Sequence, residues 1–145
     1  MTAPDTKSAL ARVECFSPRA IDRYREFTAR LDDVLLEVSA APVYIDQLAH
    51  RIGTSVRTLQ IATNAIHGLS LHRYVRLKRL WLVYLQLSNG RPGQSVKAAA
   101  LANGFWHMGE FARLYKATFG EKASETLARA ILAGATLQQK RSSEN

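Results

Sequence analysis

The chain has 145 residues, enough for one domain of ordinary size or two very small lobes sharing a helix, and too few for a larger architecture. Lys and Arg number 20 against 12 Asp and Glu, a formal net charge of +8, while 47% of residues are hydrophobic. That balance excludes a disordered basic tail and favours a polyanionic partner, since each neutralised phosphate releases condensed counterions, although anionic membranes attract basic proteins too.

Residues 1–16 read as an irregular N-terminal segment. Pro4, Asp5, Lys7, Arg12 and Glu14 interrupt any apolar core that a signal peptide needs. Cys15 is the only cysteine, so no intrachain disulfide forms and a reducing compartment is expected, with Cys15 an inert thiol. The longest apolar run, Leu80 to Leu85, falls far short of the ~20 residues that span a bilayer. The expectation is a soluble cytoplasmic protein without a membrane partner.

Period-2 alternation is nearly absent and apolar residues recur at three and four, which predicts an all-α fold. Ser17-Pro18 is an N-cap followed by proline at the first helical position, opening a helix to about Val38. Its buried stripe is Ile21, Tyr24, Phe27, Leu31, Val34, Leu35 and Val38, and Ser39-Ala40-Ala41-Pro42 closes it. A short helix from about Ile45 to Ile52 ends at Gly53; Ser55 caps a second from Val56 to about His67, stopped by Gly68. These elements make a first lobe, residues 17–69. Ser70 caps a long helix to about Leu87, with Leu77, Leu80, Tyr84 and Leu87 on one face, which gives a linker helix over 70–88. The loop at 89–94, rich in Gly and Pro, separates the lobes.

A second lobe, 95–134, repeats the plan. Ser95 caps a helix to Asn103, Gly104 turns the chain, and His107 opens a helix to about Phe119, stopped by Gly120. A last helix runs from near Ser124 to about Ala133 before Gly134, leaving 135–145 as a polar tail.

Both lobes place a small residue, Ala49 or Ala100, four positions before a turn glycine, Gly53 or Gly104. Two helices crossing steeply through a short turn need a small side chain where their axes approach and a glycine where φ turns positive. One such spacing is a weak signal; two, each followed by an amphipathic helix in a basic chain, predict two helix-turn-helix, homeodomain-like subdomains joined by the linker helix. By the 100° rotation per residue, Leu59, Ala62 and Ile66 lie on one side of the first candidate recognition helix, and Arg57, Gln60, Ile61 and Asn64 on the other. In the second, Phe111, Leu114, Tyr115 and Thr118 face inward, Gly109, Arg113 and Lys116 outward, and Glu110 flanks them. Arg57 and Arg113 suit bidentate donation to guanine, Gln60 an adenine edge, and Lys116 a phosphate. The linker helix, roughly 27 Å at 1.5 Å per residue, approaches the ~34 Å between successive major-groove segments on one DNA face. Arg73, Arg76 and Arg79 along it read first as a solvated, ion-paired face and only second as phosphate contacts.

The stretch from Leu48 to Leu127 resembles the DNA-binding domain of bacterial AraC/XylS-type transcription regulators. The resemblance rests on Leu48-Ala49, on Ser55-Val56-Arg57-Thr58-Leu59-Gln60, and on Gly68-Leu69-Ser70 with Tyr74 and Arg79-Leu80. It is strongest from Ala102 through Arg113, Tyr115-Lys116 and Phe119-Gly120. Leu71-His72-Arg73-Tyr74 with Leu77 to Trp81, and Gly104 to Gly109, are similar to the ethanolamine-operon regulators of that family. The resemblance implies transcription control, usually activation through RNA polymerase. It also implies base contacts from Arg57, Gln60 and Ile61 in the first unit and from Met108, Gly109, Glu110 and Arg113 in the second. Ile61 stands where such regulators often carry a basic residue, Thr63 where many have an aromatic, and Ala123 where a proline is usual. Such regulators usually carry a sensor domain ahead of this one, which only about 40 residues precede here, so a stand-alone regulator or a fragment is expected.

Two rival classes have less in their favour. An enzyme would need a reactive constellation, but His50, His67, His72 and His107 are scattered, a Gly-Leu-Ser break parts His67 from His72, and no Gly-rich phosphate loop is present. No catalytic residue, cofactor or metal is expected. A protein-interaction module binding another regulator or RNA polymerase finds some support in Glu110, an acid that repels phosphate unless it accepts from cytosine.

Overall fold

The computed structural model describes residues 15–38 and 44–144, and among these every regular element is an α-helix. They divide into two units, the first running to Arg79 and the second from Leu80.

In the first unit, α1 (Pro18–Glu37) starts as the sequence predicts: the Ser17 hydroxyl accepts from the Ala20 N–H at 3.3 Å, and Pro18 needs no partner for the amide hydrogen it lacks. Its buried face is Ile21, Tyr24, Thr28, Leu31 and Leu35; Phe27, Val34 and Val38 are half-buried at its margins. Thr28 escapes a hydrophobicity reading, yet burial suits it because its hydroxyl donates to the Arg25 carbonyl at 3.0 Å within the helix. The expected closure at residues 39–42 lies outside the described residues. α2 (Ile45–Ile52) and α3 (Val56–His67) keep their predicted bounds, and α4 spans Leu71–Ser88. Leu31, Leu35, Leu48, Ile52, Leu59 and Leu71 form the core, each burial contributing about 1.5–3 kcal/mol before chain entropy is counted.

Arg79 departs from the expected solvated face. It is buried, and its guanidinium donates to the Val38 carbonyl at 3.3 Å, tying α4 to the end of α1; burial lowers its pKa. A phosphate contact from Arg79 is therefore ruled out, while Arg73 and Arg76 stay exposed.

The second unit holds the rest of α4 with α5 (Val96–Ala102), α6 (Met108–Phe119) and α7 (Ala123–Ser143) around Leu80, Val83, Leu87, Ala99, Ala100, Phe111, Tyr115 and Leu127. Asn103 is buried because its amide donates to the Ala99 carbonyl and to the Gln86 side chain, at 2.9 and 3.1 Å. Gly90 sits where a Cβ would meet the Leu87 carbonyl at 2.7 Å and the Leu127 side chain, so the loop after α4 lies too close to the core for any other residue.

The predicted end of the last helix is wrong: α7 continues through Gly134 to Ser143. Glycine weakens a helix interior by only about 1 kcal/mol, and the strong helix formers around it, Ala133, Ala135, Leu137 and Gln138, outweigh that. Lys140 and Arg141 in the last turn also complement the helix dipole. A Cβ at position 134 meets nothing within 4 Å and φ there is not positive, so Gly134→Ala is expected to stabilise the helix by about 0.5–1 kcal/mol. Increased helical circular dichroism and a raised thermal midpoint would report it.

Candidate nucleic-acid interface

The two predicted turns are built alike. Gly53 (φ 84°) follows α2, and the N–H groups of Gly53 and Thr54 both donate to the Ala49 carbonyl at 3.0 Å. Gly104 (φ 83°) follows α5, and the Phe105 N–H donates to the Ala100 carbonyl at 3.0 Å. In each, the bond from five residues on closes over a left-handed glycine, which satisfies a carbonyl that the helix end leaves open. Ala49 and Ala100 are buried at the crossings that follow. The entries to the second helices differ: Ser55 caps α3 by accepting from the Thr58 N–H at 3.1 Å, whereas the His107 side chain makes no such bond to α6.

On α3, Arg57, Gln60 and Asn64 follow at three and four residues and are all exposed, a single open face. Ile61 stands at the edge of it. It is half-buried and packs, as Phe16 does, against the buried cluster of Ile21 and Tyr24 from α1 with Ala62 and Ala65 from α3. The 100° step places Ile61 at the margin of the face, and α1 covers that margin. Thr63, where an aromatic is usual, is also buried, its hydroxyl donating to the Leu59 carbonyl at 2.8 Å.

The back of this unit is held by a polar cluster. The Tyr74 hydroxyl donates to Asp32 at 2.7 Å, Lys78 pairs with the other Asp32 oxygen at 3.3 Å, and the His67 ring stacks on Tyr74 at 4.3 Å. Burial, then the bond to Asp32, raises the Tyr74 pKa; burial lowers that of His67 against the pull of Asp32.

On α6, Gly109, Glu110, Arg113 and Lys116 are exposed, and Met108 is half-buried against the core. Met108, Arg113 and Lys116 line an open groove of about 680 Å³ together with Val96, Phe111 and Ala112. Lys97 of α5 and Lys122, which precedes α7, line it too; four cations and no carboxylate are among its lining residues. Lys97 and Lys122 escaped the sequence reading because each is a lone lysine next to a helix start, and only the folded chain brings them beside α6.

Behind that face a chain of hydrogen bonds fixes α6 to α7. The buried Tyr115 hydroxyl donates to Thr126 Oγ1 at 2.8 Å, Thr126 donates to Glu121 at 2.6 Å, and Arg129 grips both Glu121 oxygens at 2.6 and 2.7 Å. The hydrogen bonds from Arg129, then the one from Thr126, push the Glu121 carboxyl down to about 2. Because the folded state holds this carboxyl ionised where the unfolded chain would protonate it, the pair stabilises above the ordinary glutamate range, and its contribution is lost as pH falls from about 4.3 towards 2. Urea midpoints between pH 5 and 2 are expected to fall less steeply in Glu121→Gln than in the unaltered chain.

A family profile described as a helix-turn-helix domain matches residues 48–129, more than half of the chain. The structure is similar to that of a probable AraC family transcriptional regulator from Rhodopseudomonas palustris, 34% identical with a TM-score of 0.62, over 72% of this chain and 97% of that one. The chain belongs to the AraC-type helix-turn-helix family. An AraC-type DNA-binding domain structure from Chromobacterium violaceum, 22% identical with a TM-score of 0.65 over 73% of this chain and 92% of that one, shares the fold. Among AraC-type relatives, XylDLEGF operon transcriptional activator 2 of Pseudomonas putida is 36% identical over 86 residues, 59% of this chain and 55% of that protein. A probable thc operon regulatory protein of Rhodococcus erythropolis is 33% identical over 96 residues, 66% of this chain and 29% of that protein. The chain thus spans about half the length of the first relative and under a third of the second. The AraC-type domain is a transcription regulator's DNA-binding domain, and the family is not one of enzymes. Among the described residues no helix is long and apolar enough to cross a membrane.

Proposed function

We propose that the chain binds double-stranded promoter or operator DNA with α3 and α6 in two adjacent major-groove segments, and that it activates transcription with RNA polymerase as its partner. The observation that carries this reading is the repeated turn: Gly53 and Gly104, closed by the same hydrogen bond, each lead into a helix whose exposed face bears an arginine, Arg57 or Arg113. Arg57, Gln60 and Asn64 read bases from α3; Met108, Gly109, Glu110 and Arg113 form the reading face of α6, with Lys116 on a phosphate. Ile61 offers only its exposed edge, which suits a thymine methyl. Activation is supported by the similarity to the Pseudomonas putida relative, a transcriptional activator. A DNA partner places this work in the cytoplasm, at the nucleoid.

The test uses a duplex that the chain itself selects from a random pool. The Arg57→Ala/Arg113→Ala variant is expected to bind it roughly thirtyfold or more weakly in a gel shift, from two contacts of about 1–3 kcal/mol each. Equal binding by both proteins would overturn the reading and leave the two-lobed scaffold as a protein-binding module.

A further inference from the structure

The groove beside α6 reaches past α6 itself. Its walls come from three places in the chain: Val96 and Lys97 at the start of α5, Met108, Arg113 and Lys116 on α6, and Lys122 ahead of α7. Lys97, Lys116 and Lys122 are exposed. None of the three has a salt bridge to a carboxylate among those found in the described residues. An apolar floor between separated cations matches one strand of DNA, whose deoxyribose faces are apolar and whose phosphates recur along the edge. A flat protein-binding patch would need no such ring of like charge, which is self-repelling until an anion fills it.

We propose that a DNA strand runs along this groove, with Lys97 and Lys122 as phosphate contacts that hold α6 in register while Arg113 reads bases. The assignment rests on the DNA-binding reading above and adds two anchoring residues to it. Lys97 and Lys122 carry affinity without sequence preference, because a phosphate looks the same in every base pair.

Binding is measured between 50 and 200 mM salt on two probes, the pool-selected duplex and a mixed-sequence duplex of equal length. Each phosphate contact adds about 0.9 to the steepness of log K against log salt. Lys97→Ala/Lys122→Ala is therefore expected to flatten the slope by about 1.8, with the affinities for both probes falling by the same factor. Lys97→Arg/Lys122→Arg is expected to keep the full slope. Lys140→Ala/Arg141→Ala, which removes the same charge about 26 Å along the α7 axis, is expected to leave it unchanged. An unaltered slope in the first variant overturns the proposal, as does an equal flattening in the Lys140/Arg141 control, which would mean a net-charge effect. If the unaltered chain binds both probes alike, base reading fails while the slopes still decide the groove; if it binds neither, both readings fall.

Discussion

Replacing Ala100 by leucine is expected to destabilise the second unit by about 3 kcal/mol, the upper part of the range for overpacking a core. Ala100 has no exposed surface, sits in the cluster that holds Phe111 and Tyr115 of α6, and supplies the carbonyl that closes the turn through Phe105. Leucine adds three carbons at this crossing, and α5 cannot back away without giving up the bond over Gly104. For a unit of this size the thermal midpoint should drop by roughly 12–24 °C, read by circular dichroism. Ala100→Gly supplies the contrast: it removes one methyl group and weakens the helix by about 1 kcal/mol, so it should be the milder change. A leucine variant melting within a degree or two of the unaltered chain would show that the crossing is loosely packed.

Loss of the guanidinium in Arg113→Ala is the second large effect, about 1–3 kcal/mol of specific affinity, or five- to 150-fold. The penalty should fall on the selected duplex and spare the mixed-sequence one, so the ratio of the two affinities shrinks. Lysine should restore it only in part, because its compact ammonium lacks the planar fork that aligns two parallel donations with a guanine edge. Equal losses on both duplexes would make Arg113 a phosphate contact, the role proposed for Lys116.

The helices around the turns were legible because their ends are marked locally: Ser55 caps, Gly53 and Gly68 stop, and Ser95 and Gly120 do the same in the second unit. What the sequence concealed depends on partners distant along the chain. Ile61 reads as an outward residue until the fold packs it against the cluster that Ile21 and Tyr24 of α1 form with Ala62 and Ala65. Arg79 reads as one of three evenly spaced arginines until the end of α1 offers it the Val38 carbonyl. Gly134 carries the same letter as the glycines that end α3 and α6, but lacks their positive φ, and no local signal separates the two uses. The cations of the groove are 25 residues apart at their extremes, Lys97 and Lys122, and no spacing rule joins them.

The unequal surroundings of Ile61 and Gly109 bear on how such a regulator acquires a new target. Ile61 is held in packing by α1, so exchanging it for a base-reading side chain disturbs the fold along with the specificity. Gly109 lies on the open face of α6, where a Cβ meets nothing within 4 Å and no positive φ forbids one. Asparagine, glutamine or arginine can be introduced there without meeting the protein, and under the proposed DNA reading would meet only the duplex. Retargeting by single substitutions is thus open at one unit and constrained at the other, and drift in operator preference is expected to be written through α6 first.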